Sequence, residues 1–97
     1  MKVVRTKSFE AELIRETAYS EESLGVQSST MLLYQNESSP DEFLIEWRDS
    51  EGTLMQEMGI WTKDNKVTEY DGCFSLPIQA IDLLQEHSFD TSEVEVA

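Results

Sequence analysis

Few residues in this 97-residue chain have the chemistry for catalysis, and they are scattered. Cys73 and His87 are its only cysteine and its only histidine. A thiolate–imidazole pair needs contact between the two side chains and a third group to orient the base. Cys73 stands between Gly72 and Phe74, a setting for a buried structural thiol, and His87 falls near the end of a helical pattern. They read as two independent residues. One histidine and one cysteine also cannot build a His/His/carboxylate or cysteine-rich zinc site.

The carboxylates invite a different chemistry. Asp49 and Glu51 flank a turn, Asp64 sits in another, and Glu69 and Asp71 share one face of a strand pattern. Two carboxylates divide acid and base roles only when burial or mutual repulsion separates their pKa values. Turn acids of this kind are ordinarily exposed. Asp49-x-Glu51 is too short for a calcium loop, which spreads its oxygens over about twelve residues. No glycine-rich loop is present to cradle phosphates. The sequence therefore assigns no catalytic residue, no metal ligand and no cofactor, and the expectation is a protein that is not an enzyme.

The aromatic residues carry more information. Trp47, Trp61, Tyr34, Tyr70 and Phe74 all fall on strand-like segments. From Phe43 to Arg48 the period of two puts Phe43, Ile45 and Trp47 on one face and Leu44, Glu46 and Arg48 on the other. In residues 53–61, Leu54, Met58 and Ile60 alternate against Met55, Glu57 and Trp61. Both faces of such a sheet would hold apolar side chains, and one helix covers only one face. Trp, Tyr and Met are common anchors where the partner is a protein surface. Leu44, Trp47, Met55, Trp61 and Tyr70, with Glu46, Glu57 and Glu69 beside them, are thus the candidate partner-binding residues.

Charge points the same way. Twenty acidic residues against seven basic ones leave a net charge of −13. Residues 1–30 are near balance, with four basic and five acidic, whereas residues 31–97 hold three basic and fifteen acidic. Such a surface repels phosphate backbones and anionic membranes and attracts basic proteins. Direct nucleic acid binding, which needs Lys and Arg to displace counterions, is not expected.

The elements that must position these residues form an α+β pattern. Val3-Val4 can start a short strand. Ser8 caps an expected helix over Phe9–Tyr19, with Phe9, Leu13 and Thr17 on one stripe, although Phe9, Ala11 and Leu13 also alternate like a strand. Ser20–Gly25 breaks that pattern. Strands are expected near Met31–Tyr34, Phe43–Trp47, 53–61 and Val67–Tyr70. The polar run Asn36–Asp41 and turns at Asp49–Gly52 and Lys63–Lys66 separate them. Asp71-Gly72 closes the last strand or opens a further hairpin into Cys73 and Phe74. Pro77 suits a first helical turn, Ser75 a cap, and Ile78, Ile81 and Leu84 recur every three residues, widened by Ala80 and Leu83. The expected architecture is an antiparallel meander of three to five strands packed against this C-terminal helix, together with the N-terminal helix.

Residues 1–90 are expected to make one compact domain and 91–97 an acidic, frayed tail. Lys2, Arg5 and Lys7 resemble the start of a signal peptide, but Glu10, Glu12, Arg15 and Glu16 interrupt the segment that would have to be apolar. With no apolar run long enough for a membrane span and one cysteine, a cytoplasmic location is expected. The functional expectation is a small acidic protein-interaction module that binds a protein partner of basic character or forms a homodimer. The alternatives are a nucleic-acid-mimicking inhibitor of a basic protein and a small-molecule-binding domain.

Overall fold

In a computed structural model that describes residues 3–5, 10–19, 29–72 and 76–94, alternating side chains build one antiparallel sheet. Its strands are β1 (Val3–Arg5), β2 (Glu10–Tyr19), β3 (Ser29–Asn36), β4 (Glu42–Arg48), β5 (Leu54–Lys63) and β6 (Lys66–Asp71). They lie in the order β1-β2-β3-β4-β5-β6, a simple meander. The single helix among the described residues is α1 (Ile78–Glu86). No helix among them is long and apolar enough to cross a membrane.

The turns follow from local chemistry. Asp49 Oδ1 accepts the amide N–H groups of Glu51 and Thr53, both at 2.9 Å, and Gly52 takes the positive φ (84°) that lets the chain reverse. Asp49 is therefore engaged in holding a turn. At the β5–β6 hairpin, Asp64 and Asn65 both have positive φ (51° and 66°), the pair of left-handed residues that suits a two-residue hairpin loop. Asn65 Nδ2 also donates to the Ser88 carbonyl at 2.6 Å, tying the hairpin to the end of α1.

Helix α1 covers one face of the sheet. Met31, Leu33, Phe43, Ile45, Met58, Ile60 and Val67 from the strands meet Leu76, Ala80, Ile81, Leu83, Leu84 and Phe89. Pro77 is the N-cap, and its carbonyl accepts the Ala80 and Ile81 amides with no side-chain cap. Ser75, the expected cap, lies outside the described residues. At the other end the Phe89 amide reaches back to the Leu84 carbonyl and Ser88 turns left-handed (φ 69°), which reverses the chain. That reversal folds Phe89 onto the core, edge-to-face against Phe43 at 5.0 Å.

Two expectations are corrected here. The segment expected as an N-terminal helix is strand β2 from Glu10 onward, paired on both sides, and with β1 it brings the sheet to six strands. The Ala11/Leu13 alternation wins because each side chain then reaches an apolar face, whereas a helical stripe of Phe9, Leu13 and Thr17 is too narrow to dock. An irregularity between Leu13 and Arg15 inserts one residue, so that Ile14 packs on the helix-side core and Arg15, paired with Leu33, also reaches Glu86 of α1 from that side. Secondly, Ile78 is 57% exposed: the buried stripe of α1 is Ala80, Ile81, Leu83 and Leu84.

Gly72 ends β6 with a φ of 92°, and a Cβ there would overlap the Glu57 carbonyl oxygen. Gly72→Ala is therefore expected to cost about 2–4 kcal/mol, from the left-handed backbone and the steric overlap together. Urea denaturation checks it, and a loss under about 0.5 kcal/mol would mean the backbone can move away.

Candidate functional site

The second face of the sheet is where the expected partner residues meet. Because alternation is strict between irregularities, the register defines three rows across it. Leu13, Tyr34, Leu44, Gly59 and Asp71 face one another in one row. Glu16, Leu32, Glu46 and Glu57 form the next, and Glu42, Trp61 and Glu69 the third. Ala11, Tyr34 and Leu44 are buried there, flanked by Leu13 and Leu32; among the described residues this cluster holds only the sheet's own side chains.

Six carboxylates (Glu16, Glu42, Glu46, Glu57, Glu69 and Asp71) stand on this face with the Arg48 guanidinium and, at the end of β5, the exposed Lys63. Glu46 is only 4% exposed and is fully engaged. Its Oε1 accepts from the Tyr34 hydroxyl at 3.0 Å and from Arg48 Nε at 3.2 Å, and its Oε2 accepts from Arg48 Nη2 at 3.2 Å. Arg48 Nη1 donates onward to the Gly52 carbonyl at 2.8 Å. This two-pronged grip is what makes burial of a carboxylate tolerable.

Directly across the ladder from Glu46 stands Glu57. Its Oε2 is closed off from solvent and has no hydrogen-bond partner among the described residues. Next to it the six-membered ring of Trp61 lies against Gly59, its atoms 3.0 and 3.2 Å from where a Cβ would be. Glycine at 59 thus lets the indole lie down on the sheet. Glu42, Leu44, Glu57, Gly59, Trp61, Asp71 and Gly72 line an open cleft of about 280 Å³. Gly72 is fixed at its rim, donating its amide to Asp71 Oδ1 at 2.7 Å and accepting from Gln56 Nε2 at 3.1 Å.

Of the residues expected to bind a partner, Leu44, Trp61, Glu46, Glu57 and Glu69 come together on this face. Trp47 and Tyr70 pack against the helix-side core instead. Met55 sits where the β4–β5 register slips and is 59% exposed. Tyr34, Glu42 and Gly59 join the face without having been singled out for it, whereas Arg48 follows from its alternation with Leu44 and Glu46, and Asp71 from its alternation with Glu69. For Tyr34 and Glu42 the signal lies in the register between strands, which no single segment carries.

The remaining polar sites are simpler. Glu12, Gln35, Asn36, Glu37 and Pro40 line a polar hollow beside the β3–β4 turn, where Gln35 Nε2 donates to the Pro40 carbonyl. His87, at the end of α1, lies 5.2 Å from the Phe89 ring; burial, and then the Arg15 guanidinium, hold its pKa below the ordinary 6.5. Cys73, the other half of the thiol–imidazole pair weighed above, lies outside the described residues, as does Phe74. Among the described residues no three His, Cys, Asp or Glu side chains gather as metal ligands.

Burial, and then the hydrogen bond to the Glu46 carboxylate, push the Tyr34 phenol up from 10.0 to about 12. Between those values the folded chain holds this proton more tightly than the unfolded chain does. The stability linked to it is complete below pH 10.0 and is lost as the pH rises through about 12. An ultraviolet phenolate titration should show one tyrosine ionising late, and Glu46→Gln should bring it earlier. A late phase unchanged in that variant would remove Glu46 as a cause.

Comparison of the chain with family models, with curated proteins and with solved structures returns no match, so the reading of this face rests on its own geometry.

Proposed function

We propose that this chain is a non-catalytic protein-interaction module whose acidic sheet face binds a basic protein. The observation that carries the reading is the composition of one surface. Six carboxylates and the already paired Arg48 guanidinium share the face with the half-buried apolar side chains of Leu13, Leu32 and Trp61, which lie beside the buried Tyr34 and Leu44. An apolar centre within a charged rim is the anatomy of a protein-binding patch. The sign of the rim selects a basic partner, speeds its encounter, and makes binding salt-dependent.

The same charges argue for a hetero-partner over a homodimer. Two copies meeting through this face would bring six carboxylates against six, with only Arg48 and Lys63 as cations on each side. A nucleic-acid-mimicking inhibitor is a narrower form of this reading, in which the basic partner normally grips phosphates. The single cysteine fits a cytoplasmic setting for such a module.

The test compares two triple variants of equal net charge. Glu42→Gln/Glu69→Gln/Asp71→Asn strips the face, whereas Glu37→Gln/Glu51→Gln/Asp64→Asn strips exposed turns elsewhere. In affinity capture at low salt, a basic protein should be retained by the parent and the turn variant and lost by the face variant. Equal retention by both variants would mean that the acidity acts only through net charge.

A further inference from the structure

We propose that the cleft over Gly59 receives one arginine side chain from the partner, stacked on Trp61 and paired to Glu57. This rests on the reading of the face as a basic-protein site and names the group that anchors it. Three features of the cleft converge on a guanidinium.

The first is an unanswered acceptor. Glu57 is half-buried and lines the cleft, and its Oε2 has no hydrogen-bond partner among the described residues, so this carboxylate lacks the donor that a shielded oxygen calls for. Its mirror across the β4–β5 ladder, Glu46, shows what satisfies a carboxylate on this sheet: the Nε and Nη2 of Arg48, each at 3.2 Å. Arg48 is committed to Glu46 and to the Gly52 carbonyl, so Glu57 has no guanidinium of its own among the described residues.

The second is the indole. Trp61 lies against Gly59 and forms a wall of the same cleft as Glu57. A planar cation laid along an indole face gains electrostatic attraction there, and arginine stacks better than lysine because its charge is spread over a flat group.

The third is the rim. Glu42 and Asp71 line the cleft with Glu57, and neither is in an ion pair among the described residues. Three carboxylates around one aromatic wall repel an anionic ligand and favour a cation. The cleft is open, which suits a side chain reaching in from a bound surface better than an enclosed small metabolite.

The experiment titrates isotope-labelled protein with two peptides, one of alternating arginine and glycine and one of alternating lysine and glycine. The arginine peptide should bind about 3- to 30-fold tighter than the lysine peptide, the range expected for a cation on an aromatic face. Its side-chain methylene protons next to the guanidinium should shift upfield under the indole ring current. Trp61→Leu should erase that preference while weak, salt-sensitive binding of both peptides persists, and Trp61→Phe should keep much of it. Circular dichroism and melting of each variant separate loss of the cleft from loss of the fold.

Equal affinity for both peptides, unaltered by Trp61→Leu, would overturn the arginine cleft and leave the acidic face standing. Binding of neither peptide, or undiminished binding by Glu42→Gln/Glu69→Gln/Asp71→Asn, would overturn the face and the cleft together.

Discussion

Leu84→Ala should cost about 2–5 kcal/mol, among the largest losses open to a single substitution in this chain. Leu84 has no exposed surface and faces the sheet among Leu33, Ile45, Met58 and Leu83. Its carbonyl also accepts the Phe89 amide that closes α1, so a cavity at 84 loosens the point where the chain turns back onto Phe43. Ile81→Ala, at 6% exposed, should fall in the lower half of the same range. Ile78→Ala is the internal control: Ile78 is 57% exposed, so its loss should stay within about 0.5 kcal/mol. Urea denaturation of the three variants decides the matter. Equal losses at 78 and 84 would mean that α1 does not dock through the Ala80/Ile81/Leu83/Leu84 stripe.

Arg48→Ala should cost about 3–5 kcal/mol, because it leaves the buried Glu46 carboxylate with one remaining donor, the Tyr34 hydroxyl. Arg48 itself is about a third exposed, which places the loss toward the lower end of that range. The double variant Glu46→Leu/Arg48→Met removes both charges and should recover most of the loss, since an apolar pair is an adequate substitute for a buried ion pair. The comparison isolates the unpaired charge as the cause. If Arg48→Ala were neutral, or the double variant as unstable as the single one, the Tyr34–Glu46–Arg48 grip would be incidental to stability.

The residues differ in how openly they announced these roles. Alternation in Phe43–Trp47 and again through Glu57–Trp61 exposed both faces of β4 and β5, because the pairing of those segments is regular. Helix α1 was legible from Pro77 and the apolar stripe after it. Ile78 misled because spacing alone does not say that the first turn of a helix overhangs the sheet. Strand β2 was hidden by two overlapping periods, and the extra residue between Leu13 and Arg15 spoiled the alternation midway. A bulge is a property of the pair of strands, and no single-strand pattern encodes it.

The binding face was half legible for a related reason. Leu44, Glu46, Glu57, Trp61 and Glu69 followed from alternation within their own strands. Tyr34 and Glu42 joined only once the register across β3, β4 and β5 was known, since Tyr34 meets Leu44 and Glu42 meets Trp61 by pairing. Gly59 offers no side chain to either face, and only the fold shows the Trp61 ring lying on it. The unsatisfied Glu57 oxygen is a three-dimensional fact, for an isolated glutamate in a strand reads as solvent-facing.

Mapping amide chemical-shift changes during titration with the alternating arginine–glycine peptide tests the acidic face most directly. The account predicts changes concentrated on β3, β4 and β5 at Tyr34, Leu44, Glu57, Gly59 and Trp61, shrinking between about 0.05 M and 0.5 M salt as the charges are screened. The amides of Ala80–Leu84 on α1 should stay still. Changes spread evenly over α1 and the turns at Glu37, Glu51 and Asp64, or centred on α1, would contradict it.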